Sequence, residues 1–258
     1  MASRKKAPSK KRAGRPAKKR PERRQDPRLW AVQALAQDGV PFTEETWIVA
    51  LSPARLPDGG LLHWHPPMPV AFNLVQARHF RERGVKSREK IMGNLKRRPH
   101  EARGPSASTS TVIDCIFDLQ TAVLCSFLAI ESLTNHAIEM LPEGATLTHK
   151  KKVYDKATMV RELSTSDKLK KVMPKLDGGV SIAGDTTLWK RYWSLKDLRD
   201  ELVHIKQRGL RSDPDDPSAY DQLMLGDGDD CVQAAVDVVE GAWPGFLPTH
   251  VRAALGLD

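Results

Sequence analysis

Apolar residues along this chain recur at helical spacing in four stretches, with one short region of strand-like alternation before them. The most apolar stretch, VIDCIFDLQTAVLCSFLAIESLTNHAIEM, predicts a helix from Val112 to about Met140. Ser110 or Thr111 is positioned to cap it, and Leu141-Pro142-Glu143-Gly144 ends it. Its apolar residues cover most of the circumference, so it belongs at the centre of a helical body or at a subunit interface. A shorter helix is expected near 155–173, stopped by Pro174, followed by the loop KLDGGVSIAGD (175–185). Leu195, Leu198, Leu202 and Ile205 lie on one face of a long helix over 186–207, ended by Gly209. After an acidic loop, VQAAVDVV supplies the stripe of a last helix over about 229–242. Four helices packed up and down are the simplest arrangement, which makes the fold class all-α, a four-helix up-and-down bundle over 110–243.

The first hundred residues read differently. Leu29–Leu35 predicts a short helix stopped at Gly39; ETWIVALS (45–52) and GLLHWH (60–65) predict two strands joined by a turn at Asp58-Gly59-Gly60. Residues 78–104 are basic and poor in apolar residues, and are expected as a helical or irregular surface segment leading into the linker GPSASTS (104–110). The expected organisation is therefore a basic tail (1–28), a small mixed α/β region with linker (29–109), the helical body (110–243) and a C-terminal tail (244–258).

Charge sharpens this division. The 258 residues carry a net charge of +9, but residues 1–28 hold thirteen Lys/Arg against two Asp/Glu, so the remainder is close to neutral. So dense a like charge with so little to bury predicts a disordered tail. Within it, KRAGRPAKKRP (11–21) has a Gly-Arg-Pro core flanked by basic residues and resembles the AT-hook of minor-groove DNA binders. The resemblance makes Arg12, Arg15, Lys18, Lys19 and Arg20 candidate nucleic-acid contacts, since arginine is drawn to the negative potential of a narrow groove. A merely solubilising tail is the other reading of the same composition. The three cysteines form no CxxC and no even framework, and the basic N-terminus has no apolar segment behind it. No uninterrupted apolar run reaches membrane-spanning length. The expected location is cytoplasmic, without a membrane partner.

The candidate chemistry lies in LKDLRDELVHIK (195–206), where Arg199, Asp200 and His204 share two turns of a helix otherwise fit for a core. Arg199 and His204, separated by four positions of which the first is polar, resemble the motif of the HEPN superfamily, small all-helical domains of which many are metal-independent ribonucleases. Asparagine is commonest after that arginine; here aspartate stands there. FLAIESLTNHAIE (127–139), with Glu131 and Asn135 interrupting an apolar helix, resembles the first helix of such domains. The resemblance spans about residues 110–243 and implies a homodimer with the motif of each copy facing one cleft, RNA as substrate, no cofactor and no metal. It also implies a toxin or phage-defence role, with an antitoxin as a further partner.

In that chemistry the 2′-hydroxyl of RNA is the nucleophile, a histidine moves its proton, and an arginine stabilises the charge growing on the phosphate. Asp200 and His204, four residues apart, share a face, so Asp200 is expected to orient the imidazole, and Glu131 to hold Arg199. Arg199 and His204 are about 140° apart around an ideal helix, so they converge only through a bent arginine or across two chains. The competing reading is a non-catalytic DNA-associated dimerisation module with the AT-hook-like tail. Lysines 150–152, 156, 168, 170 and 171 form either an RNA track or a solvated face. His63 and His65 would share a sheet face without further ligands at familiar spacing. Cys115 and Cys125 read as packing residues, and Asp227-Gly228-Asp229-Asp230 lacks a calcium-loop pattern.

Overall fold

The longest apolar stretch forms the axis about which the other helices are arranged. The structure, a computed structural model, describes residues 52–55, 61–64, 68–96, 109–204 and 217–257. Among them are two antiparallel hairpins, β1 (Ser52–Arg55) with β2 (Leu61–Trp64) and β3 (Leu147–His149) with β4 (Lys152–Tyr154). The helices are α1 (Pro69–Lys96), α2 (Thr109–Met140), α3 (Lys156–Glu162), α4 (Thr165–Lys171), α5 (Thr186–Val203), α6 (Ala219–Leu225), α7 (Cys231–Ala242) and α8 (Thr249–Ala254). The described part of the chain is mostly helical, as an all-α protein should be.

α2 packs against α1, α5 and α7, and α5 against α7, around one core. Leu74 of α1, Ile130, Leu133 and Ile138 of α2, Leu202 of α5 and Val238 of α7 are fully or almost fully buried in it. By length and composition α2 would suffice to cross a bilayer, so the described residues do hold one helix of that kind, despite its interrupting polar residues. Half of that stretch is buried inside the protein, as in the core helix of a globular body. Ile113, Phe117 and Leu128 of α2 remain exposed.

Several expectations are corrected. The helical body starts at Pro69, not near 110: Val70, Leu74, Val75 and Ile91 bury one face of α1 against α2, so this segment is no surface excursion. Arg78, Arg81 and Arg88 of the same helix bond the Ala254 carbonyl, the Asp229 carbonyl and the Asp229 carboxylate, so basic residues are interleaved with the apolar stripe and masked it in a reading by composition. β1 begins at Ser52, where the first strand was expected to end, pairing Ser52 with Trp64 and Arg55 with Leu61; residues 45–51 lie outside the described ones. The expected helix over 155–173 is two helices. Leu163 is extended, and Ser164 starts α4 by accepting a hydrogen bond from the Asp167 amide (3.1 Å). The C-terminal segment is not a free tail, since Leu247, Val251 and Leu255 pack into the core. The basic tail, the helix expected at 29–35, the 104–108 part of the linker and residues 205–216 lie outside the described residues.

α1 and α2 run antiparallel, as Asn73–Ser132 and Arg83–Asp118 contacts show, and at Gly84 their backbones come close. A Cβ there would lie 2.7 Å from the Leu119 side chain and 3.1 Å from its backbone nitrogen. Beside it the Cys115 thiol donates to the Gly84 carbonyl (3.4 Å). Gly84→Leu would force these helices apart, and we expect a loss of about 1–3 kcal/mol in urea unfolding; unchanged stability would show that the seam is loose.

Candidate functional site

α5 starts where Asp185 accepts hydrogen bonds from the Thr187 (2.9 Å) and Leu188 (3.0 Å) amides. From there Tyr192, Leu195, Leu198 and Leu202 recur at helical spacing and are buried. Trp189, Trp193, Lys196 and Asp200, at steps of three and four, share another face. The helix ends at Val203, and His204 is its C-cap, with its amide donating to the Asp200 carbonyl (2.9 Å) and its side chain exposed.

Tyr192 is the anchor. Its ring is fully buried, stacked on Trp189 (centroids 5.1 Å apart, 23° between planes) and 6.3 Å from Phe127 of α2. Its hydroxyl faces Ser166 of α4, in a geometry short of a hydrogen bond, and has no other partner among the described residues. Burial first, and then the carboxylates of Asp200, Asp167 and Glu131, push its ionisation well above the usual tyrosine range.

Arg199 lies with its guanidinium over the Phe127 ring, 5.1 Å from the centroid, and donates through Nη1 to Asp200 Oδ1 at 2.8 Å. Lys196 donates to the other oxygen of the same carboxylate, and its ammonium also sits 5.2 Å from the Trp193 ring centroid. Two cations therefore share one carboxylate. Burial raises the Asp200 pKa, but the hydrogen bonds and charges of Lys196 and Arg199 outweigh it and hold the carboxyl below its ordinary value. All three side chains stay about a third exposed, so the pair is open to a solvent-borne anion.

Two expected contacts are replaced by others. Asp200 turns its carboxylate to Lys196 and Arg199, not to the imidazole of His204, because both cations stand within a turn of it. Glu131 lies in the field of Lys168 and Tyr192 instead of gripping Arg199; among the described residues no hydrogen bond joins the two. Asn135 accepts from the Lys168 ammonium (2.8 Å), which also donates to the Val160 carbonyl (2.9 Å). That lysine is almost completely buried, and burial lowers its pKa against the raising influence of Glu131. Glu131 and Asn135 thus belong to the joint between α2 and α4, next to the Arg199 cluster.

Arg12, Arg15, Lys18, Lys19 and Arg20 fall outside the described residues, as do the side chains of His63 and His65. Among the described residues no group of three or more His, Cys, Asp or Glu side chains could hold a metal ion. Cys115 and Cys231 are buried free thiols, the latter pushed up to about 11 by burial. Set against protein-family models, curated proteins and solved structures, the chain gives no match in any of the three comparisons.

What the arrangement offers chemically is a pair of cations for a phosphate, a solvent-facing imidazole at the helix end and an exposed indole, Trp193, beside them. Phe127, Tyr192, Trp193 and Lys196 were not singled out from the sequence. The spacing of Trp189, Trp193 and Lys196 was the available signal for three of the helix residues.

The Tyr192 hydroxyl makes a sharp test of the anchor. Because its folded pKa is raised, its contribution to stability is complete below about pH 10 and is lost as the pH rises beyond that value. Tyr192→Phe removes a buried, unpartnered hydroxyl, so urea unfolding at pH 7 is expected to show equal stability or a gain of about 1 kcal/mol. Above pH 10 the wild type is expected to fall further behind the variant. A large loss at pH 7 would mean that the hydroxyl is bonded.

Proposed function

We propose that the protein is a metal-independent endoribonuclease of the HEPN kind, working on RNA as a homodimer, with a helical bundle in which α2, α5 and α7 are long members. The observation that supports this most is the Arg199 cluster. A guanidinium fixed over Phe127 shares the single carboxylate of Asp200 with Lys196, which leaves a surplus positive charge one helical turn from the exposed His204. A phosphodiester docking there meets donors already in place, so little is lost in ordering them. His204 supplies the proton transfer that a 2′-hydroxyl nucleophile requires, and no metal has a role in the step. The exposed apolar residues of α2, Ile113, Phe117 and Leu128, supply a face for the second copy. The basic tail raises the local concentration of nucleic acid, and the protein works in the cytoplasm, restrained by an antitoxin if it is a toxin.

The competing reading, a non-catalytic DNA-associated module, draws on the same Arg199–Asp200 ion pair, which satisfies the guanidinium within one chain. One experiment separates them. Wild type, His204→Ala and Arg199→Ala are incubated with end-labelled RNA in EDTA. The ribonuclease reading expects cleavage by the wild type, reduced about 100-fold or more in each variant with the circular dichroism unchanged. Equal behaviour of all three supports the DNA module. Deleting residues 1–28 is expected to weaken binding and flatten its dependence on salt while leaving cleavage in place; loss of cleavage on truncation alone would assign the tail a catalytic part.

A further inference from the structure

Outside the Arg199 cluster, the β3–β4 hairpin carries an anomaly of its own. Its two turn residues, Lys150 and Lys151, both have left-handed backbone conformations (φ 50° and 65°), where Asn-Gly is the favoured pair. Lysine at both positions is strained relative to ordinary backbone, because its Cβ crowds the following carbonyl in this region. Both side chains are exposed, so packing gives no return for the strain; what they offer is charge at a fixed tip.

The tip is not isolated. His149, at the base of the turn, meets the Lys171 ammonium of α4 through Nδ1, which ties the hairpin to that helix. One residue earlier, the Lys170 ammonium stands 4.6 Å from the Trp189 ring centroid on α5. Trp193 follows one turn on, edge-on to Trp189 at 5.9 Å and flanked by Lys196, and Arg199 comes next. Three carboxylates along this path are already engaged, Glu162 by Lys152, Asp167 by the Ser164 hydroxyl (2.7 Å) and Asp200 by its two cations, while Asp197, one turn beyond Trp193, is exposed.

We propose that single-stranded RNA lies along this path, its phosphates on Lys150, Lys151, Lys170 and Lys196 and a base stacked on Trp193, delivering the scissile phosphate to Arg199. The identity of the strand as RNA rests on the ribonuclease reading; the path itself rests on the side chains above. Alternating cations with aromatic rings is what an unpaired strand recognises, because its bases expose their faces, whereas a duplex hides them. Trp193 retains 36% of its surface exposed, enough for a base to settle on. Trp189, stacked on Tyr192, acts as the support that holds Lys170 at the path.

The test uses the full chain and a uridine-rich 12-mer with 2′-O-methyl riboses, which cannot be cut, carrying 5-bromouridine for photo-crosslinking. Mass spectrometry is expected to find the adduct on Trp193, and Trp193→Ala to bind about tenfold more weakly. Lys150→Asn with Lys151→Gly installs the favoured turn, so stability should hold or rise. Affinity should still drop about fivefold and the salt dependence flatten by about 1.4 in log–log slope. The proposal is overturned if adducts are confined to residues 1–28, if both variants bind as the wild type does, or if duplex RNA or polyglutamate competes as well as the single strand. These outcomes are separable from the fate of the nuclease. Absent cleavage with a Trp193 adduct keeps the path and removes the ribonuclease; cleavage without that adduct does the reverse.

Discussion

One buried tyrosine ring sets the relation between the helices that matter for function. Tyr192 of α5 is enclosed against Phe127 of α2, Trp189 of its own helix and the start of α4, and its orientation decides which way the next two turns of α5 face. With that ring inside, Arg199 falls over Phe127 and the Trp193–Lys196–Asp200 face is left to solvent. Aromatic packing of this kind contributes through both buried area and ring geometry, and the guanidinium over Phe127 extends the same stack to the surface. The candidate site is thus the outer end of a core contact. Its rigidity is borrowed from the interior.

Electrostatics then gives that surface its sign. The chain outside the tail is nearly neutral, so a cationic site has to be made by local arrangement and not by bulk composition. The protein does this by giving Lys196 and Arg199 one carboxylate between them, and by burying Lys168 with Asn135 and Glu131 so that its charge is spent inside. A site built in this way can exchange Asp200 for a phosphate without leaving a cation unpaired, because both partners are anionic and the cluster is open. The N-terminal tail supplies long-range attraction that salt screens, whereas the α5 cluster supplies contacts of defined geometry.

The sequence made the long elements legible and the joints illegible. α2, α5 and α7 follow from apolar periodicity because each buries a stripe of its own. The buried stripe of α1 is carried by few large residues among many lysines and arginines, so composition concealed it. The break between α3 and α4 was present in Ser164-Ser166-Asp167 as a capping pattern, yet the apolar run across it suggested continuity. At the site, the residue types were readable but their pairing was not. Asp200 had three neighbours of suitable charge within a turn, and periodicity does not rank them; geometry chose Lys196 and Arg199 over His204. Lys168 looked like one more surface lysine in a basic run and turned out to be the polar tie between α2 and α4.

The account stands on Arg199 being a phosphate receptor and not just half of an internal ion pair. Its Nε–H signal in an arginine-selective 15N spectrum, assigned by loss in Arg199→Lys, reports this directly. Titration with a 2′-O-methylated single strand should shift that signal and slow its exchange with water as the phosphate replaces or joins Asp200. A signal that stays put while those of the N-terminal arginines move would mean that nucleic acid meets only the tail, and that the cluster on α5 serves the fold alone.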